Sequence, residues 1–101
     1  MRIILDDRRS FSNYEKYNCV RTYQECIELI SLFRSVSYIS LDYDLGEQKT
    51  GLDVLIYMVE CGCTVKHINI HSDHSVGVPK MWDYAKEHFP NASLTFNSLK
   101  S

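Results

Sequence analysis

The sequence predicts an α/β protein built on a small, doubly wound, parallel sheet of five strands. Short strand-like apolar runs alternate with longer stretches of helical period along the chain, the pattern of such a fold. No internal repeat, low-complexity tract or Pro/Gly-rich linker divides the 101 residues, so a single domain over 1–101 is expected. Two of the apolar runs stop at paired acids, as strands do when they deliver side chains to the edge of an open sheet.

The first strand is Arg2-Ile3-Ile4-Leu5, ending at Asp6-Asp7. Residues 7 to 17 are polar and hold no sustained helical period, so the first crossover is expected to be a long loop, its helix reduced or absent. Asn18 to Arg21 is a short second strand. Thr22-Tyr23-Gln24-Glu25 has the form of a capping box, and Tyr23, Cys26, Ile27, Ile30 and Phe33 then share one helical face, which predicts a helix over 23–34. The third strand is 36–42, ending at Asp42-Tyr43-Asp44-Leu45-Gly46. A helix bearing Leu52, Leu55, Met58 and Val59 follows and stops at Gly62. The fourth strand, 65–70, runs into His71-Ser72-Asp73-His74. Pro79 suits the first turn of a third helix striped with Met81, Trp82, Ala85 and Phe89. Pro90-Asn91 ends it, and 92–96 is the fifth strand.

Charged residues make up 24% of the chain and hydrophobic ones 45%, the balance of an ordinary soluble globular protein. A formal net charge of -2 argues against broad non-specific DNA binding. No apolar run approaches the roughly 20 residues of a membrane span, and Met1 to Asp6 turns to charge too soon for a signal peptide. With no secretory signal, the four cysteines are expected to be reduced and the protein cytoplasmic. Cys26 and Cys61 read as core thiols carried on helices. No oligomeric state follows from the sequence.

The strand tips gather the candidate chemistry. Asp6, Asp7, Asp42 and Asp44 would repel one another unless a cation or proton relieved them, and hard divalent cations favour such oxygen ligands. Magnesium is the expected ion, with manganese the alternative. One aspartate alone would be as well explained as a turn former; two pairs at two strand tips favour a site. His71, at the tip of the fourth strand, is the candidate acid or base, although a structural imidazole is the commoner role for a lone histidine. Ser72 and His74 are candidate phosphate contacts. So is Arg8, whose guanidinium matches phosphate geometry, while Arg9, Lys16 and Arg21 lie on or near the same loop. Gly77 opens a helix whose first amides suit an anion. Phe11, Tyr14 and Tyr17 are expected to cover the core where a helix is missing, in preference to stacking on a base. His67 and His88 read as ordinary structural residues.

Leu5-Asp6-Asp7-Arg8, Val20-Arg21-Thr22, Ser40-Leu41-Asp42-Tyr43-Asp44-Leu45-Gly46, Thr50-Gly51, His71-Ser72-Asp73-His74-Ser75-Val76-Gly77 and Met81 occur in that order. Together they resemble the cyclic-phosphate processing receiver domain, an offshoot of the receiver (flavodoxin-like) fold, over about residues 2 to 97. Tyr43 stands where that family usually has histidine, and His74 where it has asparagine; the first loop lacks the usual Pro and Gly-Trp. The resemblance implies metal-supported handling of nucleotides or RNA ends that bear cyclic phosphates. Through the wider receiver fold it also implies a rival, a signalling domain phosphorylated at Asp42. Receivers place a lysine at the end of the fifth strand, and here Asn97 follows Phe96. A nucleotide-binding adaptor without chemistry is the third alternative.

Overall fold

Three apolar tetrads make the spine of the sheet. In the computed structural model, which describes residues 1–9 and 15–97, they are β1 (Arg2–Leu5), β4 (Tyr38–Leu41) and β6 (His67–Ile70), each buried over its last three residues. Burial on both faces is the rule for central parallel strands. At the edges are β2 (Asn18–Val20) and β7 (Ser93–Phe96), and the order β2-β1-β4-β6-β7 is parallel throughout.

Three helices supply the crossovers: α1 (Tyr23–Phe33), α2 (Gly51–Glu60) and α3 (Gly77–His88). Their inward residues Cys26, Ile30, Val54, Leu55, Met58, Met81 and Ala85 form one core with Ile3, Leu5, Ile39, Leu41, Ile68 and Ile70. Those sheet residues alternate with Ile4, Ser40 and Asn69, so the three helices cover one face and the second set points to the other. The direction of winding explains this placement. From β2 onward every crossover steps the same way across the sheet, and right-handed connections then keep the helices on one side. Only β1 to β2 steps the other way. The reversal makes the gap beyond the tips of β1 and β4 the switch point of the sheet, the place where open α/β sheets bind ligands.

Among the described residues no helix joins β1 to β2. The expected loop residues Phe11 and Tyr14 lie outside the described residues. Tyr17 meets Tyr38 edge-on, with ring centroids 5.5 Å apart, and packs with it on Ile4. It thus covers the sheet face opposite the three helices, as expected for this loop aromatic.

Two expected strands are each broken in two. β3 (Ser35–Val36) pairs with β5 (Thr64–Val65) as a separate two-stranded ladder, parted from β4 and β6 by Ser37 and Lys66. The break at Ser37 is pinned, since its amide and hydroxyl both donate to the Met1 carbonyl. Helix ends follow the sequence more closely. The Thr22 hydroxyl accepts from the Glu25 amide, and Gly62 takes a left-handed φ of 72° just past α2. None of the four cysteines is disulfide-bonded. Cys26 is a core thiol as expected, but the second is Cys63, because Cys61 falls at the half-buried cap of α2. Among the described residues no helix is long and apolar enough to cross a membrane.

Candidate functional site

The cleft at the switch point holds about 440 Å³ and is lined by Asp6, Arg8, Arg9, Asp42, Asp44, Ser72, Asp73 and His74. β1 delivers Asp6, β4 delivers Asp42, and the segment after β6 brings Ser72 to His74. A somewhat smaller apolar hollow between α3 and β7, about 290 Å³, lies among Trp82, Phe89 and Leu94 and offers no titratable pair. The polar cleft is where chemistry can occur.

Asp6 is held from every side. Its Oδ1 accepts the Arg8 and Arg9 amides, both at 2.9 Å, while Oδ2 meets His71 Nε2 at 3.0 Å and lies 3.6 Å from Arg9 Nε. Burial pushes the Asp6 carboxyl up, but the amides of Arg9 and Arg8 together with His71 outweigh it, so the group lies below its usual range. Asp42 goes the other way. Burial, reinforced by the charges of Asp6 and Asp7, pushes it up to about 6 despite hydrogen bonds from the Ser72 hydroxyl and the Tyr43 amide. Two neighbouring carboxyls with displaced affinities for protons are the mark of a shared site.

Asp6, Asp42 and His71 each offer a ligand atom, all within 4.8 Å of one another. The nitrogen of His71 is the weakest of the three offers, since its Nε2 is already hydrogen-bonded to Asp6. Asp7 lies to the side: Oδ2 is 3.9 Å from Arg8 Nε and near Gly46, and Oδ1 is buried with no hydrogen-bond partner. A buried carboxylate oxygen left in that state calls for a cation or a water. The carboxylates of Asp6 and Asp42 are the oxygen donors that a hard divalent ion favours, and Asp7 falls outside the group that they form with His71. Asp44 is exposed at the rim, where its Oδ1 accepts the Gly46 amide and shapes its own turn.

His71, expected as acid or base, is wholly buried and absent from the cleft wall. Nδ1 meets Ser40 Oγ at 2.6 Å and Nε2 meets Asp6, so it reaches a ligand only through Asp6. Burial holds its pKa below the usual value against the pull of Asp6, which keeps the ring neutral near pH 7. The imidazole on the cleft wall is that of His74. Its Nδ1 accepts the Gly77 amide at 2.8 Å and its ring lies 4.5 Å from that of Tyr43. The Gly77 amide, expected to meet phosphate, is therefore already engaged. Glycine is required there because the Tyr43 ring stands 2.3 Å from where a Cβ would be.

Arg8 and Arg9 line the cleft, Arg8 strongly exposed. Arg9, singled out less than Arg8 by the sequence, reaches between Asp6 and Asp73, 3.9 Å from the latter. Arg21 does not face a ligand: its guanidinium donates to the carbonyls of Asp6 and Arg9 and clamps the turn after β1. At the end of β7, where receivers carry their lysine, Asn97 Oδ1 accepts the Ser72 amide. The position serves to anchor the β6 tip.

Fold and cleft together define a receiver-like α/β domain with an acidic site at its switch point. The chain belongs to the family of the cyclic-phosphate processing receiver domain, whose model matches residues 1–87. No curated protein and no solved structure matches it.

Proposed function

We propose that this chain uses a divalent cation, magnesium or manganese, to bind and hydrolyse a 2′,3′-cyclic phosphate on a nucleotide or an RNA end. The observation that carries the reading is the pairing of opposite charge across one cleft. Asp6 and Asp42 meet at the strand tips, and Arg8 and Arg9 stand on the walls of the same cleft. A phosphodiester brings both a need for a cation and an anion for guanidinium groups.

Asp6 and Asp42 would hold the ion, with Asp7 and, from the rim, Asp44 acting directly or through water. A bound divalent ion supplies Lewis-acid charge to a phosphoryl oxygen and makes water more acidic. Arg8 and Arg9 neutralise the phosphate oxygens and Ser72 orients Asp42. His74 has Nδ1 fixed as an acceptor by Gly77, so Nε2 carries the proton and is the donor for the departing ribose oxygen. In the overall reaction water adds to phosphorus, one ribose P–O bond breaks, and the ribose hydroxyl is released beside a phosphomonoester. Among the alternatives, the lysine-free end of β7 weighs against a phosphorylated signalling domain.

The test is incubation with 2′,3′-cyclic nucleotides and with an RNA oligonucleotide ending in a cyclic phosphate, followed by ³¹P NMR. The expected result is a phosphomonoester that depends on Mg²⁺ or Mn²⁺ and disappears in Asp42→Asn. Loss in His74→Ala without loss of cation binding would assign the proton donor. No turnover of either substrate by a protein that binds the cation overturns the enzymatic reading.

A further inference from the structure

Behind Asp6 a file of polar side chains crosses the sheet on the face opposite the three helices. Ser40, Asn69 and Thr95 are register partners on β4, β6 and β7, forming one row. Ser40 and Asn69 are wholly buried, as is His71. Each contact is short: Asp6 Oδ2 to His71 Nε2 at 3.0 Å, His71 Nδ1 to Ser40 Oγ at 2.6 Å, and Ser40 Oγ to Asn69 Nδ2 at 2.9 Å. The file continues from Asn69 Oδ1 to Thr95 Oγ1 at 2.7 Å and from Thr95 Oγ1 to His67 Nε2 at 2.8 Å.

The direction of every bond follows from one end. An ionised carboxylate only accepts, so His71 must present Nε2–H to Asp6. In a neutral ring Nδ1 is then bare, and the Ser40 hydroxyl must donate to it. Ser40 Oγ accepts from the Asn69 amide nitrogen, Asn69 Oδ1 accepts the Thr95 hydroxyl, and Thr95 Oγ1 accepts Nε2–H of His67. The reverse order would set the lone pair of His71 Nε2 against Asp6 Oδ2. Such a clash would turn the carboxylate away from Asp42.

We propose that Ser40, Asn69 and Thr95 are positioning residues, forming a one-way hydrogen-bond chain that locks the His71 tautomer and so aims Asp6 at the cation. The role rests on the metal reading of the cleft given above. Partners behind the ligands of a metal commonly set its affinity in this way. The same chain makes a second statement about a distant residue: His67, at the start of β6, is held as the Nε2–H tautomer too.

Long-range ¹H–¹⁵N correlation spectra of the ¹⁵N-histidine-labelled protein without cation test the chain directly. His71 and His67 are both expected to show protonated Nε2 and bare Nδ1. In Ser40→Ala the His71 pattern should move toward mixed tautomers, and Mg²⁺ or Mn²⁺ affinity by calorimetry should fall about tenfold. Ser40 is buried and its variant can fail to fold, so Thr95→Val on the edge strand asks the same question. It should remove the His67 signature and weaken cation binding about threefold, the worth of one neutral hydrogen bond, with Thr95→Ser restoring both. An Nδ1–H His71 in the native protein overturns the chain, as do tautomers and affinities unmoved by Ser40→Ala and Thr95→Val. The predicted tautomers in a protein that binds neither cation would instead overturn the metal reading, and with it the aim given to Asp6.

Discussion

Asp42 is the residue on which the site turns, because its carboxyl is placed where ionisation is unfavourable. Its proton affinity in the folded protein is raised to about 6, by burial first and then by Asp6 and Asp7. A raised carboxyl favours the native state below its ordinary value near 3.8, and that advantage is lost as pH rises through about 6. Above that, the cation-free fold carries a repelled charge. At about 1.4 kcal/mol per pH unit the upper bound is about 3 kcal/mol, and water contact at the cleft reduces it to roughly 1 kcal/mol. Asp42→Asn is therefore expected to raise the melting temperature in EDTA at pH 7.5 by roughly 4–8 °C, a gain that vanishes at pH 4. Equal gains at both pH values would mean that like-charge repulsion is not the cause. Asp6 has the opposite sign: its lowered carboxyl stabilises the fold above the ordinary carboxylate range, and this contribution is lost on acidification.

At the scale of elements, the approach of α2 to the tip of β4 fixes where Asp42 stands. A Cβ on Gly51 would lie 2.2 Å from the Asp42 carbonyl oxygen, so backbone and not a movable side chain fills that space. Gly51→Ala must push the tip of β4 away, and a loss of more than about 2 kcal/mol in denaturant unfolding is expected, with weaker cation binding. Retained stability would mean that the approach can relax. The sequence placed Gly51 in a Thr-Gly step without a reason for it, since a steric contact between distant elements leaves no periodic trace. Helices were legible because their apolar stripes repeat over three turns. The β3–β5 ladder was not, because two residues per strand carry no pattern and each continues the apolar run of the next strand. The left-handed cap of α1 was hidden as well: Arg34 has φ of 51° and no glycine marks it. Arg34→Gly should stabilise the fold by about 0.5–1 kcal/mol, read from the same denaturant curves; a loss would show that the arginine side chain supports that turn.

Over the whole molecule, the winding of the sheet explains what the sequence revealed of the site. Acids at strand tips could be read as convergent because tips of neighbouring parallel strands must meet, and Asp6 and Asp42 do. Side-chain depth could not be read, so His71 was the expected acid or base and His74 only a phosphate contact, although His71 is sealed beneath Asp6 and His74 lines the cleft. The two departures from the family pattern, Tyr43 and His74, prove to touch, and His74 Nδ1 caps α3 much as an asparagine would. One consequence concerns the balance of charge. A chain with a formal net charge of only -2 gathers Asp6, Asp7, Asp42, Asp44 and Asp73 at one end of the sheet, with Arg8 and Arg9 as the facing cations. If a divalent ion completes that end, its binding energy becomes folding energy, about 2.7 kcal/mol at a hundredfold excess over Kd. Mg²⁺ should then raise the melting temperature by roughly 10 °C or more, rising with the logarithm of concentration. NaCl at equal ionic strength only screens and should do much less. Asp42→Asn, more stable than the native chain in EDTA, should lose the response and fall below it in Mg²⁺. Differential scanning calorimetry of both proteins in EDTA, NaCl and MgCl₂ decides the matter: parallel shifts in the two salts would leave the strand-tip acids as a screened surface and remove the cation from the site.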